Sequence, residues 1–407
     1  MAHYVEGFLP PNPTGATKAE RVGIRYRAYL PDRIGDHTYD LSNDQADGLV
    51  RAEVAIRELQ SHPSAQGLEQ LARQLLRAES VGSSRIEGLV LSQQRLFKAL
   101  FDPSTEDQPA LSILGNIRAM ERAVELGSED RDIASDDLIG MHRELLAATS
   151  DRHLAGVVRT QQNWIGGSTI AKAEFVPPPP SEVPSLLEDL CNFINRDDIP
   201  AVAQAAIAHA QYETIHPHID GNGRVGRCLI HVVLRRRGLT PSFVPPISLV
   251  LATSAGRYVS GLTEYRQGLV GDWVQLFSTT AIEASEQAQA FANAIAGAQE
   301  SWYERAGSPR RDSAAARLIR LLPANPVLDV NSAAALLATS TQAARLGLGA
   351  LESAGIIKES TASRYRRAWA AKEVFGMLDG FERTLATPAE ATTPSRPAPR
   401  AIRSWRP

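Results

Sequence analysis

The sequence predicts a mainly α-helical chain with one small β-hairpin and a compact α/β module near its C-terminal end. Three observations carry that prediction. Apolar residues recur at spacings of three and four over most of the chain, one glycine-containing stretch with β-branched flanks breaks the pattern, and basic residues crowd toward the C-terminus. The length of 407 residues suits two to three domains. A hydrophobic content of 43% and a charged content of 22% are globular values, which exclude a disordered or collagen-like chain. No apolar run approaches the roughly 18 residues that a membrane span needs. The opening Met1-Ala2-His3-Tyr4-Val5-Glu6 lacks a basic-then-apolar leader pattern, and Cys191 and Cys228 have no CxxC spacing. Two buried, reduced thiols and a cytoplasmic location are therefore expected.

Taken in order, residues 1–40 are rich in Pro, Gly, Arg and Tyr and read as an extended, turn-prone opening. Helices are expected over Asn43–Leu59 and Leu68–Glu79, each with one apolar face, then over Ser83–Leu89 and Ser92–Leu100. Asp102-Pro103 interrupts, and helices return over Leu111–Leu126 and Ser135–Ala147. Between Leu154 and Pro180 the texture changes: Val157–Thr160 and Thr169-Ile170 flank Trp164-Ile165-Gly166-Gly167, which predicts a hairpin turning at the glycines. The prolines Pro177–Pro180 close it, because they suit neither a helix interior nor a central strand. Further helices are expected over Ser181–Asn195, Pro200–Ile215, Gly223–Arg237, Ser254–Leu269 and the Ala-rich Asp272–Ala298.

A second pattern starts after Gly307-Ser308-Pro309. A short helix over Ser313–Leu322 precedes a helix, a tight turn and a second helix at Asn331–Ala338 and Ser340–Gly355. Ile356–Lys358 and Tyr365–Trp369 pair as strands around Glu359–Arg364, and Ala371–Thr384 closes the module, an order that resembles a winged helix-turn-helix. The formal net charge of −3 is unevenly spread. Residues 305–385 carry twelve Lys/Arg against seven Asp/Glu, and residues 386–407 carry four Arg against one Glu, which leaves the rest of the chain acidic. The Pro-rich tail from Thr387 is expected to be disordered.

The chemistry concentrates in Ile215-His216-Pro217-His218-Ile219-Asp220-Gly221-Asn222-Gly223-Arg224-Val225-Gly226-Arg227. Gly221-Asn222-Gly223 lets backbone N–H groups approach a ligand closely, at the start of a helix whose N-terminus favours phosphate. Arg224 and Arg227, three apart, share a helix face and suit a bidentate grip on phosphate oxygens. Asp220 is placed to hold Mg²⁺ against those oxygens, and His216 is a base whose ordinary pKa suits neutral pH.

This stretch resembles the signature of the Fic (Fic/DOC) family, H-P-F-x-[DE]-G-N-G-R-x-x-R, departing from it only at His218, where the family has Phe. The resemblance implies a Fic-type helical core and transfer of AMP from ATP to a hydroxyl of a protein. His216 is then implied as the base for a Ser, Thr or Tyr hydroxyl and Asp220 as the Mg²⁺ ligand. The Gly221, Asn222, Gly223, Arg224, Val225, Gly226 and Arg227 segment is the implied ATP-phosphate cradle. His218 either loosens the loop or is accommodated by a neighbour. The family's inhibitory pattern [ST]-x-x-x-E-[GN] is matched by Ser83-Ser84-Arg85-Ile86-Glu87-Gly88. Ser83 and Glu87 lie four apart on one helical face, and the resemblance implies that Glu87 pairs with Arg227 and leaves ATP misaligned. Residues 159–167 with Phe175–Pro178 resemble the family's flap, with Trp164, Ile165, Gly166 and Gly167 at its tip and a free strand edge for a target segment. The same resemblance implies that Tyr258 and Arg266 line the adenosine pocket.

The implied organisation is an N-terminal helical region with the inhibitory motif (1–110), a Fic core (111–304), a winged helix (305–385) and a tail (386–407). For the basic module, Arg345, Arg364, Arg366 and Arg367 are the candidates for phosphate contacts with DNA. Its second helix offers few base-reading side chains, so protein docking or homodimerisation is favoured over sequence-specific DNA binding. Self-modification is compatible with the activity, and no membrane partner is expected. The alternatives are removal of AMP from modified proteins with the help of Glu87, and a DNA-binding regulator that uses the helical body as a nucleotide sensor.

Overall fold

The computed structural model describes residues 2–11, 21–62, 69–101, 105–360, 367–386 and 403–404. The chain is mainly helical, as expected, but it opens on strands. His3–Leu9 (β1) and Ile24–Leu30 (β2) pair antiparallel, His3 against Leu30 through Leu9 against Ile24. Prolines give residues 1–40 a turn-prone look, but Ile24–Ala28 alternates apolar and charged residues with the period of a strand. Helices follow at Asn43–Ser61 (α1), Glu69–Ile86 (α2), Gln93–Phe101 (α3), Gln108–Leu126 (α4) and Ser135–Leu146 (α5). The helices expected at 68–79 and 83–89 are one helix, α2, because nothing between Ser80 and Gly82 stops it. The Asp102-Pro103 break lies outside the described residues.

Strand β3 is Asn163–Trp164, and Ile165 bridges to Phe175, so Trp164 and Ile165 stand on a strand and not in the turn. The reversal runs through the expected glycines, Gly166 and Gly167, both at positive φ, and continues into a 3-10 turn at Ile170–Lys172. Beyond the prolines lie Val183–Ile194 (α6), Ala201–Ile215 (α7), Asn222–Arg236 (α8), Ile247–Thr253 (α9), Ala255–Arg266 (α10) and Val270–Arg305 (α11). Helix α9 was not anticipated: its seven residues are too few to display a period. Helix α11 is 36 residues long, well past the expected Ala298.

The core is built around α7. All fifteen of its residues are buried, a pattern for a helix packed on every side. Six of them are alanines, which lets neighbours approach closely: the indole N–H of Trp273 on α11 donates to the Ala206 carbonyl at 2.8 Å. Helix α8 packs beside α7, and the loop joining them carries the signature. Helix α2 lies against α9 so tightly that a Cβ at Gly82 would stand 2.5 Å from Leu249 Cα.

The C-terminal module runs Ala314–Leu321 (α12), Val327–Asp329 (β4), Val330–Leu337 (α13), Thr341–Ser353 (α14), Lys358–Ser360 (β5), Ala368–Ala370 (β6) and Lys372–Ala386 (α15). Its three strands are ordered β4-β6-β5, all antiparallel. Arg364 and Arg366 lie outside the described residues, as does most of the tail. Arg403–Ser404 (β7) departs from the disordered reading: it pairs antiparallel with β3, Asn163 against Ser404 and Trp164 against Arg403.

Candidate active site

His216 caps the C-terminal end of α7 in the left-handed region, with φ 52° and ψ 60°. For a residue with a Cβ that conformation costs on the order of 1–2 kcal/mol, and the chain around it holds it there. The buried Arg159 donates from Nε to the His216 carbonyl at 2.8 Å and from Nη2 to the Pro178 carbonyl at 2.6 Å, while its backbone N–H donates to the Pro217 carbonyl at 2.9 Å. One side chain therefore ties the flap to the loop. Asn163 adds a second tie, donating to the His218 carbonyl at 3.0 Å.

The His216 imidazole is 2% exposed, and neither ring nitrogen is held by a well-formed hydrogen bond. Burial, helped by the Arg159 charge, lowers its pKa to about 3; the Glu213 carbonyl and the Glu87 carboxylate pull the other way without overcoming it. The ring is neutral at physiological pH, with a lone pair available for a proton.

Asn222 closes the loop. Its carboxamide oxygen accepts from the His218 N–H and its amide nitrogen donates to the His218 carbonyl, both at 2.8 Å. The side chain is therefore engaged inside the loop. Gly221 sits at φ 81°, against Leu145 and His142. His218 is accommodated by a neighbour: its ring stacks on His142 with centroids 3.6 Å apart and planes 8° from parallel. His142 accepts from the Gly156 N–H at Nδ1, so its Nε2 carries the proton donated to the Asp220 carbonyl at 2.9 Å. Burial lowers its pKa to about 4 and pushes that of His218 well below the usual value. Two flat neutral rings thus fill the place of one phenyl ring.

The two arginines diverge from the expected common grip. Arg224 donates to the Ser112 hydroxyl on α4 at 2.8 Å and to Asp220 at 3.0 Å. Arg227, fully buried, points to α2. Its Nε donates to the Ser83 hydroxyl and its Nη2 to the Ser83 carbonyl, both at 2.9 Å, and Nη2 also donates to Glu87 Oε1 at 2.8 Å. Glu213 stands 3.8 Å away on the other side. Burial works against the charge of Arg227, but the Glu87 and Glu213 carboxylates outweigh it and hold its pKa above the ordinary value.

Helix α2 is anchored for this contact. The fully buried Glu79 accepts from the Ser248 N–H at 2.6 Å, bonds the Ser248 hydroxyl, and meets His231 Nε2 on α8 at 2.8 Å.

Tyr258 and Arg266 do not share one pocket wall. The Tyr258 hydroxyl is buried in the arginine network, 2.9 Å from His209 Nε2 and 3.5 Å from Arg227 Nη1. Arg266 stacks over the flap ring of Phe175 at 3.9 Å and, with Tyr29, Tyr39, Gln211, Thr214 and Tyr265, lines a cavity of about 750 Å³. Trp164 is an anchor: it packs with Leu9, Ile24, Ala28, Ile170 and Val176, and so fastens the flap to the N-terminal hairpin. Arg159 stands in the flap segment singled out by sequence, though without the tie it makes here, whereas sequence reasoning missed His142, Ser112 and Glu213. Of these only Glu213, one helical turn before His216, lies close enough in the chain to have been suspected.

Asp220 is half-exposed at the loop mouth, and among the described residues no three His, Cys, Asp or Glu side chains converge. A single carboxylate fits a Mg²⁺ ion that takes its remaining ligands from substrate phosphates and water. Both cysteines are free and buried, and burial raises their pKa to about 12, so they are unreactive thiols. No helix among the described residues is long and apolar enough to cross a membrane.

A buried neutral imidazole, a glycine-flanked helix N-terminus and two arginines stand around one loop of a helical protein. Residues 132–234 match the Fic/DOC family and residues 46–125 the Fic/DOC family N-terminal region. The chain carries a Fic/DOC domain. It is 34% identical over 138 residues to protein adenylyltransferase fic-1 of Caenorhabditis elegans, covering 33% of this chain and 25% of that protein. It is 37% identical over 99 residues to a probable protein adenylyltransferase of Aquifex aeolicus, covering 24% of this chain and 28% of that one. The chain thus spans about a quarter of the length of these curated relatives. A Fic family protein from Desulfovibrio desulfuricans shares the fold, with a TM-score of 0.51 over 82% of this chain and 97% of that chain at 19% identity.

Proposed function

We propose that this chain transfers AMP from ATP to a hydroxyl side chain of a protein, and that Glu87 holds the reaction down. The observation that carries the reading is the shared position of Glu87, Arg227 and Gly223 beside the neutral His216. ATP phosphates belong on the Gly221 and Gly223 backbone amides, where the N-terminus of α8 favours negative charge. Asp220 would hold Mg²⁺ there, which supplies charge neutralisation at the phosphates. Arg224 and Arg227 offer guanidinium groups to the β- and γ-phosphates. In the transfer, His216 accepts the hydroxyl proton, the hydroxyl oxygen bonds to the α-phosphorus, and the bond from that phosphorus to the bridging oxygen breaks. Pyrophosphate leaves with the bond's electron pair. Positioning and electrostatics dominate such a step.

Glu87 competes for Arg227. While its carboxylate occupies that guanidinium, a γ-phosphate meets a negative charge in place of its partner, and the α-phosphate is displaced from line with the incoming hydroxyl. The flap edge at β3 suits a target strand, which would displace β7 from it. In the C-terminal module, the order of helices and strands supports the winged-helix reading. Arg345 is exposed on α14, but Arg367 is engaged by Glu352 at 3.5 Å and Glu359 at 3.3 Å, which favours protein docking over DNA. Intact-mass spectrometry after incubation with ATP and Mg²⁺ tests the activity. An AMP adduct with release of pyrophosphate, absent in His216→Ala, is the predicted result. Hydrolysis without any adduct in either protein contradicts it.

A further inference from the structure

The C-terminal module touches helix α2 at three points along its length. Gln74 donates to the Pro323 carbonyl, Arg77 donates to the Ala324 carbonyl at 2.7 Å, and Arg85 donates to Glu382 on α15. The last contact falls inside the motif, between Ser83 and Glu87, which both reach Arg227. Glu382 is 6% exposed although it carries a carboxylate, and its second oxygen accepts from Gln93 at the start of α3. It therefore bridges the two ends of the Gly88 turn that follows Glu87, where the chain passes from α2 to α3 at φ 82°. Around it α15 is keyed in by aromatic contacts. Phe381 stacks on Phe291 of α11 with centroids 4.4 Å apart, and Phe375 meets Phe97 of α3 at 5.4 Å.

We propose that Glu382 is a positioning residue for Glu87: by gripping Arg85 and Gln93 together, the last helix of the C-terminal module latches the end of α2 in the register that lets Glu87 reach Arg227. Nothing in the Fic/DOC segment supplies this grip. Arg85 leaves its own helix to find a partner 297 residues away. A charge-assisted contact of this kind is strong when buried, and losing one partner leaves the other uncompensated. The module thus serves as the latch's handle, and any partner that lifts α15 would free the transfer site. The inference rests on the reading of Glu87 as the brake.

The test uses the full chain with Glu382→Gln, Arg85→Gln, Glu87→Gly, and Glu382→Gln combined with Glu87→Gly. Transfer of labelled AMP from ATP onto the protein is read beside amide hydrogen exchange over residues 83–89. Glu382→Gln and Arg85→Gln are each expected to raise transfer several-fold and to speed exchange over 83–89 while leaving exchange in α7 unchanged. Glu382→Gln should add nothing once Glu87 is Gly. Unchanged exchange at 83–89 in both single variants overturns the latch, as does an equal gain from Glu382→Gln with and without Glu87. If Glu87→Gly itself fails to raise transfer, the brake reading falls, and the exchange measurement still decides the latch separately.

Discussion

Gly223 and Glu87 divide one small space between them: a Cβ at Gly223 would lie 2.2 Å from the Glu87 Oε1 atom. The missing side chain is what lets the carboxylate settle on Arg227. Gly223→Ala should therefore destabilise the chain by about 1–3 kcal/mol, the usual cost of overpacking. Gly223 lies on helix α8 without a positive φ, so once Glu87 is Gly only the side-chain ends of Arg227 and Glu213, at 2.9 and 3.2 Å, remain to give way and the same substitution should cost less. Urea denaturation of the four proteins in this cycle measures the coupling, and equal costs in both backgrounds would count against the shared space.

Removing the base should leave binding intact. His216→Ala takes away the unpaired imidazole and the side chain that stands in the left-handed region. A fall in AMP transfer of about 10²–10⁴, the usual worth of a general base, is predicted with ATP affinity within a few-fold of wild type. Calorimetric titration beside the rate assay separates the two. A loss confined to ATP affinity would reassign His216 to binding.

Acid should unfold this chain through its buried histidines. Burial lowers the pKa of His209 and His216 to about 3. Their unfolded value lies near 6.5, so between about pH 6.5 and 3 the unfolded state binds more protons and stability falls as pH falls. Above pH 6.5 neither histidine contributes a slope. At pH 5 each independently titrating histidine should cost about 2 kcal/mol. Melting temperature measured between pH 7 and 5 should drop by several degrees, with a shallower drop in His209→Gln. A flat profile would contradict the neutral, buried assignment.

Arg403–Ser404 occupy the β3 edge proposed above for a target strand. Because β7 pairs with Asn163–Trp164, deletion of residues 387–407 should lower KM for a protein acceptor several-fold and leave KM for ATP unchanged. Steady-state kinetics on the truncated and full chains reads this directly. An unchanged acceptor KM would mean that targets dock elsewhere.

What could be read from the sequence was what lies close together along the chain. The loop from His216 to Arg227 is contiguous, and Ser83 and Glu87 are one helical turn apart, so spacing alone placed them on shared faces. The Glu87–Arg227 contact spans 140 residues and was reached only through a family likeness. No local pattern announces that His142 will stack on His218, that Ser112 will meet Arg224, or that Glu382 will hold Arg85, because each pair is brought together by packing between distant helices. Of the N-terminal strands only Ile24–Leu30 carries a legible alternation, and the prolines that flank the pair obscure it. The expected hairpin turns at its glycines but its strands lie elsewhere, because Trp164 and Ile165 are buried beside Leu9 and Ile24 and against Tyr29 and extend the strand.

If Glu87 withholds Arg227 from ATP in an otherwise competent transfer site, its removal releases the reaction. Comparing wild type with Glu87→Gly at saturating ATP, with AMP incorporated into protein as the readout, tests it most directly. A gain of about 10- to 100-fold is expected, the range that a charge-assisted hydrogen bond worth about 1.5–3 kcal/mol can impose. Equal incorporation by the two proteins, both shown to bind ATP, would contradict it.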